Sequence, residues 1–334
     1  LCIVGAGAAG ITLARKLGRH GVKVCLLEAG GMEVTQDAQM LFEGESIGVK
    51  YSYLMASRLR AFGGTTGHWG GQSIPFDSLD FQKREWVSDS GWPIAYTDFE
   101  QYLPEASMIC GVPSGGYRWK DVYSEDKLAL PFDEQLFEDA LIRYSAPPRR
   151  FGLYFRDEIK RQENVTCIIN ASVSDIHTDA SGSQVTHVSI KSLKGNNWRV
   201  NSRIFVLACG GIENSRLLLA SRGTNPAGIG NDYDQVGRYF MEHPNYDSGQ
   251  IQIINPKLGK LLVSPTIGPR WSRTRLDFKL NLSQQNKHGI LNHSAFLVPG
   301  NANNAHFDED IGFIGKAWNK VLKKYVEMTE EEAD

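Results

Sequence analysis

The 334-residue chain carries 36 Lys plus Arg against 38 Asp plus Glu, a formal net charge of -2, so no global field draws it to nucleic acid or an acidic membrane surface. Hydrophobic residues at 41% and charged residues at 22% exclude a disordered composition, and the length suits a little over two domains at ~150 residues each. Glycine, at 34 residues, exceeds the usual share for this length and predicts local glycine roles. The five cysteines, Cys2, Cys25, Cys110, Cys167 and Cys209, have no CxxC spacing and no His at ligand distance, which predicts free thiols and neither a disulfide framework nor a metal site. No apolar run reaches the ~18 residues of a membrane span, so the composition leans to a soluble, cytoplasmic protein. The sequence opens at Leu1, without Met and already inside an apolar run, so an upstream segment is expected.

In chain order, Leu1 to Val4 and Val22 to Leu27 read as strands, with Ile11, Leu13, Ala14 and Leu17 at helical spacing between them: a βαβ opening. Residues 31–93 show little periodicity and contain RLRAFGGTTGHWGGQ, a long loop of the kind that is usually functional. Thr97 with Glu100 predicts a capping box opening a helix, and Pro131 to Tyr144 predicts a second helix. Arg149, Arg150, Arg156, Lys160 and Arg161 form a local basic patch, read as a solvated surface. VTCIIN, VTHVSIKSL and WRVNSRIFVLAC predict three strands separated by turns, the last feeding Gly210-Gly211 and a helix. Beyond Asp234, IQII, LLV, the alternating RLDFKLNLS and ILNHSAFLV predict a second sheet, and VLKKYVEMTEEEAD a helical tail.

The chemistry begins with Gly5, Gly7 and Gly10 in GxGxxG between strand and helix. Gly5 permits the turn, Gly7 lets a pyrophosphate approach, Gly10 lets helix and strand pack, and the helix N-terminus, from Ala8 and Ala9, supplies free N–H groups. Glu28, followed by Ala29, stands 18 residues after Gly10, where an acid accepts from ribose hydroxyls and repels a 2'-phosphate. FAD or NAD is therefore favoured over NADP. The second cluster, Gly63, Gly64, Thr65, Thr66, His68, Trp69, Gly70 and Gly71, favours FAD, because a flavin must be wrapped and its ring fixed. A strictly NAD-dependent dehydrogenase leaves this loop without a purpose.

GAGAAG with LLEAG, FGGTTGHWGG, VLACGGIENSRLLLAS and VGRYFMEHP, in this order, resemble the glucose-methanol-choline oxidoreductase family of flavoenzymes, well over residues 1–245 and loosely beyond. The resemblance implies an α/β fold: a Rossmann-like FAD-binding domain from residues 1–94 and 160–235, interleaved with a substrate domain from 95–159 and 236–334 on a large, mostly antiparallel sheet with helices. It implies oxidation of a CH–OH group of an alcohol or sugar by hydride transfer to flavin N5, followed by reoxidation by oxygen, a quinone or a redox protein. It also implies that Val173 approaches the adenine through its backbone, that Ala208, Cys209 and Gly210 line the pyrophosphate and ribose, and that His68 either forms a covalent bond to the flavin 8-methyl group, as in some members, or lies near a noncovalent flavin. Trp69 is expected to pack. The family's catalytic histidine is expected beyond Asp334, since His306, His243 and His293 lack its context. A lyase or isomerase on the same fold, or a catalytically silent flavin-binding protein, are the alternative readings.

Overall fold

The apolar runs at the start of the chain form the centre of a parallel sheet. The structure, a computed structural model, describes residues 1–48, 51, 54–122, 133–243, 249, 251–254, 256, 262, 266–267 and 273–297. In chain order its elements are β1 (Cys2–Val4), α1 (Ala8–Arg19), β2 (Val24–Leu27), α2 (Gln36–Met40), β3 (Gln72–Ser73), α3 (Tyr96–Glu100), α4 (Leu103–Cys110), α5 (Trp119–Val122) and β4 (Phe137–Tyr144). They continue with α6 (Phe151–Tyr154), α7 (Arg156–Arg161), β5 (Val165–Ile168), β6 (Ser172–Thr178), β7 (Val185–Lys191), β8 (Asn197–Asn201), β9 (Phe205–Leu207), α8 (Gly211–Ala220), β10 (Thr266–Ile267), β11 (Arg273–Leu280) and α9 (Leu282–His288).

The chain divides into two compact units. The described residues of the first fall within Leu1–His68 and Arg150–Asn245, and those of the second within Trp69–Arg149 and Tyr246–Asn304.

In the first unit four parallel strands lie in the order β5-β2-β1-β9. Cys2, Ile3 and Val4 are all buried, as a parallel strand covered on both faces requires. The chain steps outward from β1 through β2 to β5 and returns on the other side of β1 as β9. Strand order therefore reverses between β1 and β9, the place where open α/β sheets bind ligands. The antiparallel meander β6-β7-β8 packs Val173, Ile176, Val188 and Ile190 against Cys2, Val4, Leu27 and Leu217, so one core serves both sheets and α8.

The second unit carries an antiparallel sheet in the order β10-β11-β4-β3. Leu276 pairs with Leu141, and both pack with Trp119 and Leu262. On β11, Asp277 is fully buried and accepts from Arg275 Nε at 2.6 Å and Nη2 at 2.8 Å, and from Ser294 Oγ at 3.0 Å.

Several expectations are corrected. Within the helix expected over Pro131 to Tyr144, residues 134–136 form a turn and Phe137–Tyr144 are the strand β4, because these eight residues pair with β11 along their whole length. The helix expected from Thr97 starts at Tyr96, and it is Asp98 that accepts from the Ala95 N–H, at 3.0 Å. WRVNSRIFVLAC makes two strands in two different sheets, β8 and β9, and β6, which was not predicted, completes the meander. IQII forms no strand in its described residues 251–254, and His306 and the tail lie outside the described residues.

Removing one side of a buried ion pair leaves an uncompensated charge, so Asp277→Ala is expected to lower unfolding stability by about 3–5 kcal/mol, measured by urea denaturation. A loss below about 1 kcal/mol would show that Arg275 finds water or another partner.

Candidate dinucleotide-binding site

Two strand-glycine-helix turns start from neighbouring parallel strands. After β1, Gly5 turns at φ +100° and Gly7 is the N-cap of α1; after β9, Gly210, at φ +85°, is the N-cap of α8. Both helix N-termini therefore rise from the carboxyl end of the sheet on either side of the reversal point. Their first-turn N–H groups lack partners within the helix and the helix dipoles are positive there, a combination that favours an anion. The second turn is tied to the first strand: the Ala208 N–H donates to the Val4 carbonyl at 2.7 Å and the Cys209 thiol to the same oxygen at 3.1 Å. Burial pushes the Cys209 thiol up to about 11, so it stays a neutral donor. Asn214, from α8, accepts from the Cys209 N–H at 3.0 Å.

The glycines of the site sort by what stands where a Cβ would be. At Gly10 that atom would lie 1.9 Å from the Gly5 carbonyl oxygen, and at Gly63 2.6 Å from the Gly152 nitrogen. These glycines hold backbone against backbone within the chain. At Gly7 and Gly210 nothing lies within 4 Å, which leaves open backbone for a ligand to approach. The second glycine cluster leans on the first turn: the Gly63 N–H donates to Ala6 O at 2.8 Å, and a Cβ on Gly64 would lie 3.0 Å from Gly7 Cα.

Glu28 does more than the sequence suggests. Its carboxylate is buried, Oε2 accepting from the Ala6 N–H and Oε1 from the Gly30 N–H, both at 2.9 Å. It thus clasps the turn after β1 to the end of β2, and each oxygen keeps a further lone pair for a hydroxyl. Burial raises its pKa, while the Gly30 and Ala6 N–H groups and nearby Arg60 pull the other way.

The other expected residues sit as follows. Ala8 and Ala9 are exposed at the start of α1, and Ala29 follows Glu28 half-buried. Thr66 Oγ1 donates to Gly63 O at 2.6 Å and accepts from the Phe151 N–H at 3.1 Å, so this hydroxyl is engaged inside its own loop, while Thr65 is exposed. His68 is half-buried in the first unit, its pKa lowered by desolvation and then by Arg150. Trp69, Gly70 and Gly71 belong to the second unit, where Trp69 Nε1 donates to Arg149 O at 3.0 Å and Gly71 packs on Ser145 and Pro148. Val173 lies on β6, an edge strand of the meander. His243 and His293 are exposed. Arg60 and Asn214 were not singled out by the sequence; the signal was Arg60's place, three residues before Gly63 in an otherwise apolar stretch.

A family of NAD(P)-binding Rossmann-like domains matches residues 3–32, which are β1, α1 and β2. The fructose dehydrogenase large subunit of Gluconobacter japonicus is 25% identical over 315 residues, covering 72% of this chain and 58% of that protein. The 6'''-hydroxyparomomycin C oxidase of Streptomyces lividus is 24% identical over 305 residues, covering 75% of this chain and 56% of that one. Both similarities accord with the resemblance of the chain to the glucose-methanol-choline oxidoreductases, a family of FAD-dependent enzymes. The chain spans a little over half the length of these curated relatives. Among solved structures, pyridoxine 4-oxidase from Mesorbium loti aligns at 19% identity over 66% of this chain and 51% of that one, with a TM-score of 0.40. Open backbone at Gly7 and Gly210, beside two helix N-termini, fits a dinucleotide diphosphate. Among the described residues no helix is long and apolar enough to cross a membrane.

Two substitutions separate packing from binding. Gly10→Ala is expected to lower stability by about 1–3 kcal/mol through overpacking. Gly7→Ala, with open space around it, is expected to leave the urea midpoint unchanged and weaken FAD binding in a fluorescence titration; unchanged affinity would remove Gly7 from the site. Glu28 gives a pH test. A carboxyl whose folded pKa is raised keeps its proton in the folded state after the unfolded chain has lost it, so its contribution to stability falls as pH rises through that window. The advantage of the unsubstituted chain over Glu28→Gln should therefore shrink from the ordinary Glu value upward, and a gap that widens with pH would contradict the raised pKa.

Proposed function

We propose that this chain is the FAD-holding part of an oxidoreductase that oxidises a CH–OH group of an alcohol or sugar. The observation that carries the reading is the pair of glycine turns on adjacent parallel strands, each with open backbone at a helix N-terminus. The relatives named as a fructose dehydrogenase and a hydroxyparomomycin oxidase point to hydroxylated, sugar-like substrates.

In this reading the first unit holds the dinucleotide. The N–H groups at the start of α1 and the backbone at Gly210 receive the diphosphate. Glu28 accepts from the ribose while fixing the turn that carries Ala6. The free rim of β6 offers the Val173 backbone to the adenine, since an edge strand leaves one row of N–H and C=O groups unpaired. FAD, when bound, supplies a hydride acceptor. The chain's own task is to hold it rigidly and to exclude water, and the packed glycine contacts at Gly10 and Gly63 serve the first purpose. His68 follows the second glycine cluster, and desolvation lowers its pKa, which favours the neutral imidazole, the state in which a ring nitrogen could bond to the flavin 8-methyl carbon.

Anaerobic addition of alcohols and sugars to the FAD-loaded, full-length protein tests the activity. Bleaching of the flavin absorbance by at least one of them is expected; no bleaching by any would favour a lyase or a silent flavin-binding protein. Yellow colour should survive acid precipitation and be lost in His68→Ala. Its loss from the unsubstituted protein would show that the flavin is held without a covalent bond.

A further inference from the structure

Three guanidinium groups converge on one carboxylate at the first turn of α8. Glu213 Oε1 pairs with Arg58 Nη1 at 2.8 Å, and Glu213 Oε2 with Arg216 Nε at 2.9 Å and Arg60 Nη1 at 4.0 Å. Arg60 is the least exposed of the three, with 9% side-chain exposure against 15% for Arg58 and 50% for Arg216. Its backbone and head are fixed from several sides: the Arg60 N–H donates to Gln39 Oε1 at 3.1 Å, Nη2 donates to Ser172 Oγ at 3.3 Å, and its carbonyl is the oxygen that crowds Gly30. Phe42 lies beneath the guanidinium, 5.1 Å from its carbon to the ring centroid. The Arg60 Nε is buried with no hydrogen-bond partner among the described residues.

A buried guanidinium donor without an acceptor costs free energy comparable to the desolvation of a charged group, and the surrounding charges do not offset it. Three guanidinium groups face the Glu213 carboxylate and the nearby Glu28 carboxyl, which also acts on Arg60 while two backbone N–H groups hold it. Even counting Glu28, the cluster keeps surplus positive charge beside one buried donor without an acceptor. Its place is specific. Arg60 lies against Gly30 after β2, against Ser172 at the start of β6, and beside Glu213 in the first turn of α8. These positions surround the end of the sheet where Glu28 and Val173 are expected to meet the ribose and adenine.

We propose that Arg60 is a binding residue for the adenosine diphosphate half of the dinucleotide, its Nε donating to an oxygen of that half while Arg58 and Arg216 keep Glu213 from neutralising it. The proposal rests on the dinucleotide reading of the site. It assigns a charge-assisted contact to a residue outside both glycine motifs.

The test uses the whole chain freed of bound cofactor, with FAD titrated by fluorescence quenching and ADP by calorimetry. Arg60→Met is expected to weaken FAD and ADP alike by about tenfold to a hundredfold, the range for a hydrogen bond to a charged group. Arg60→Lys, which keeps the charge but loses the planar fork, should fall between the two, and it replaces Arg60→Met if that variant's thermal midpoint shows it does not fold. Affinities for both ligands within twofold of the unsubstituted chain would overturn the proposal, as would a loss for FAD without a loss for ADP. If the unsubstituted chain binds no FAD, the functional reading fails as well, a result distinct from equal affinities in all variants.

Discussion

The buried carboxylate of Glu28 is the interaction on which the first unit depends. Its two oxygens hold the Ala6 and Gly30 N–H groups, while its own N–H donates to Ile168 O and its carbonyl accepts from the Ala171 N–H, both at 2.8 Å. One residue thus joins the turn after β1, the end of β2, the end of β5 and the approach to β6. A carboxyl group is tolerated there because every bond it accepts comes from a backbone donor that would otherwise be buried unpaired. The turn it fixes is the one whose backbone stands open at Gly7, so in the proposed reading fold stability and cofactor binding share a single side chain.

Around this clasp the chain is built from backbone contacts that admit no Cβ. Gly10 against Gly5 closes the first turn on its own helix, and Gly63 against Gly152 brings two segments far apart in sequence together. Part of the glycine surplus is therefore a packing device, while Gly7 and Gly210 leave open backbone at the two helix N-termini. Arg60 adds the charge that the glycines cannot supply.

The parts legible in the sequence are those set by local constraints. GxGxxG fixes a turn within six residues, and continuous apolar runs mark β1 and β2, so the βαβ opening and its fitness for a dinucleotide follow from the text of the chain, while the lean to FAD needs the second glycine cluster. β4 was misread because Leu136, Phe137, Ala140 and Leu141 repeat at helical spacing and its charges suit a helix surface. Its partner, β11, lies more than a hundred residues away. Glu138 finds Lys279 at 2.9 Å and Arg118 at 2.6 Å, and Asp139 accepts from the Trp119 N–H. β6 was missed because an irregularity between Val173 and Asp175 breaks the alternation that marks a strand. Arg60 was not singled out because its meaning lies in burial and in a shared carboxylate, neither of which has a sequence pattern.

The central claim is that one dinucleotide lies across the reversal point between β1 and β9. Amide hydrogen exchange with and without FAD tests it directly. Protection is predicted at residues 5–10 and 208–214 together, since both turns face the ligand; protection of one turn alone, or of neither while FAD is bound, would contradict the account.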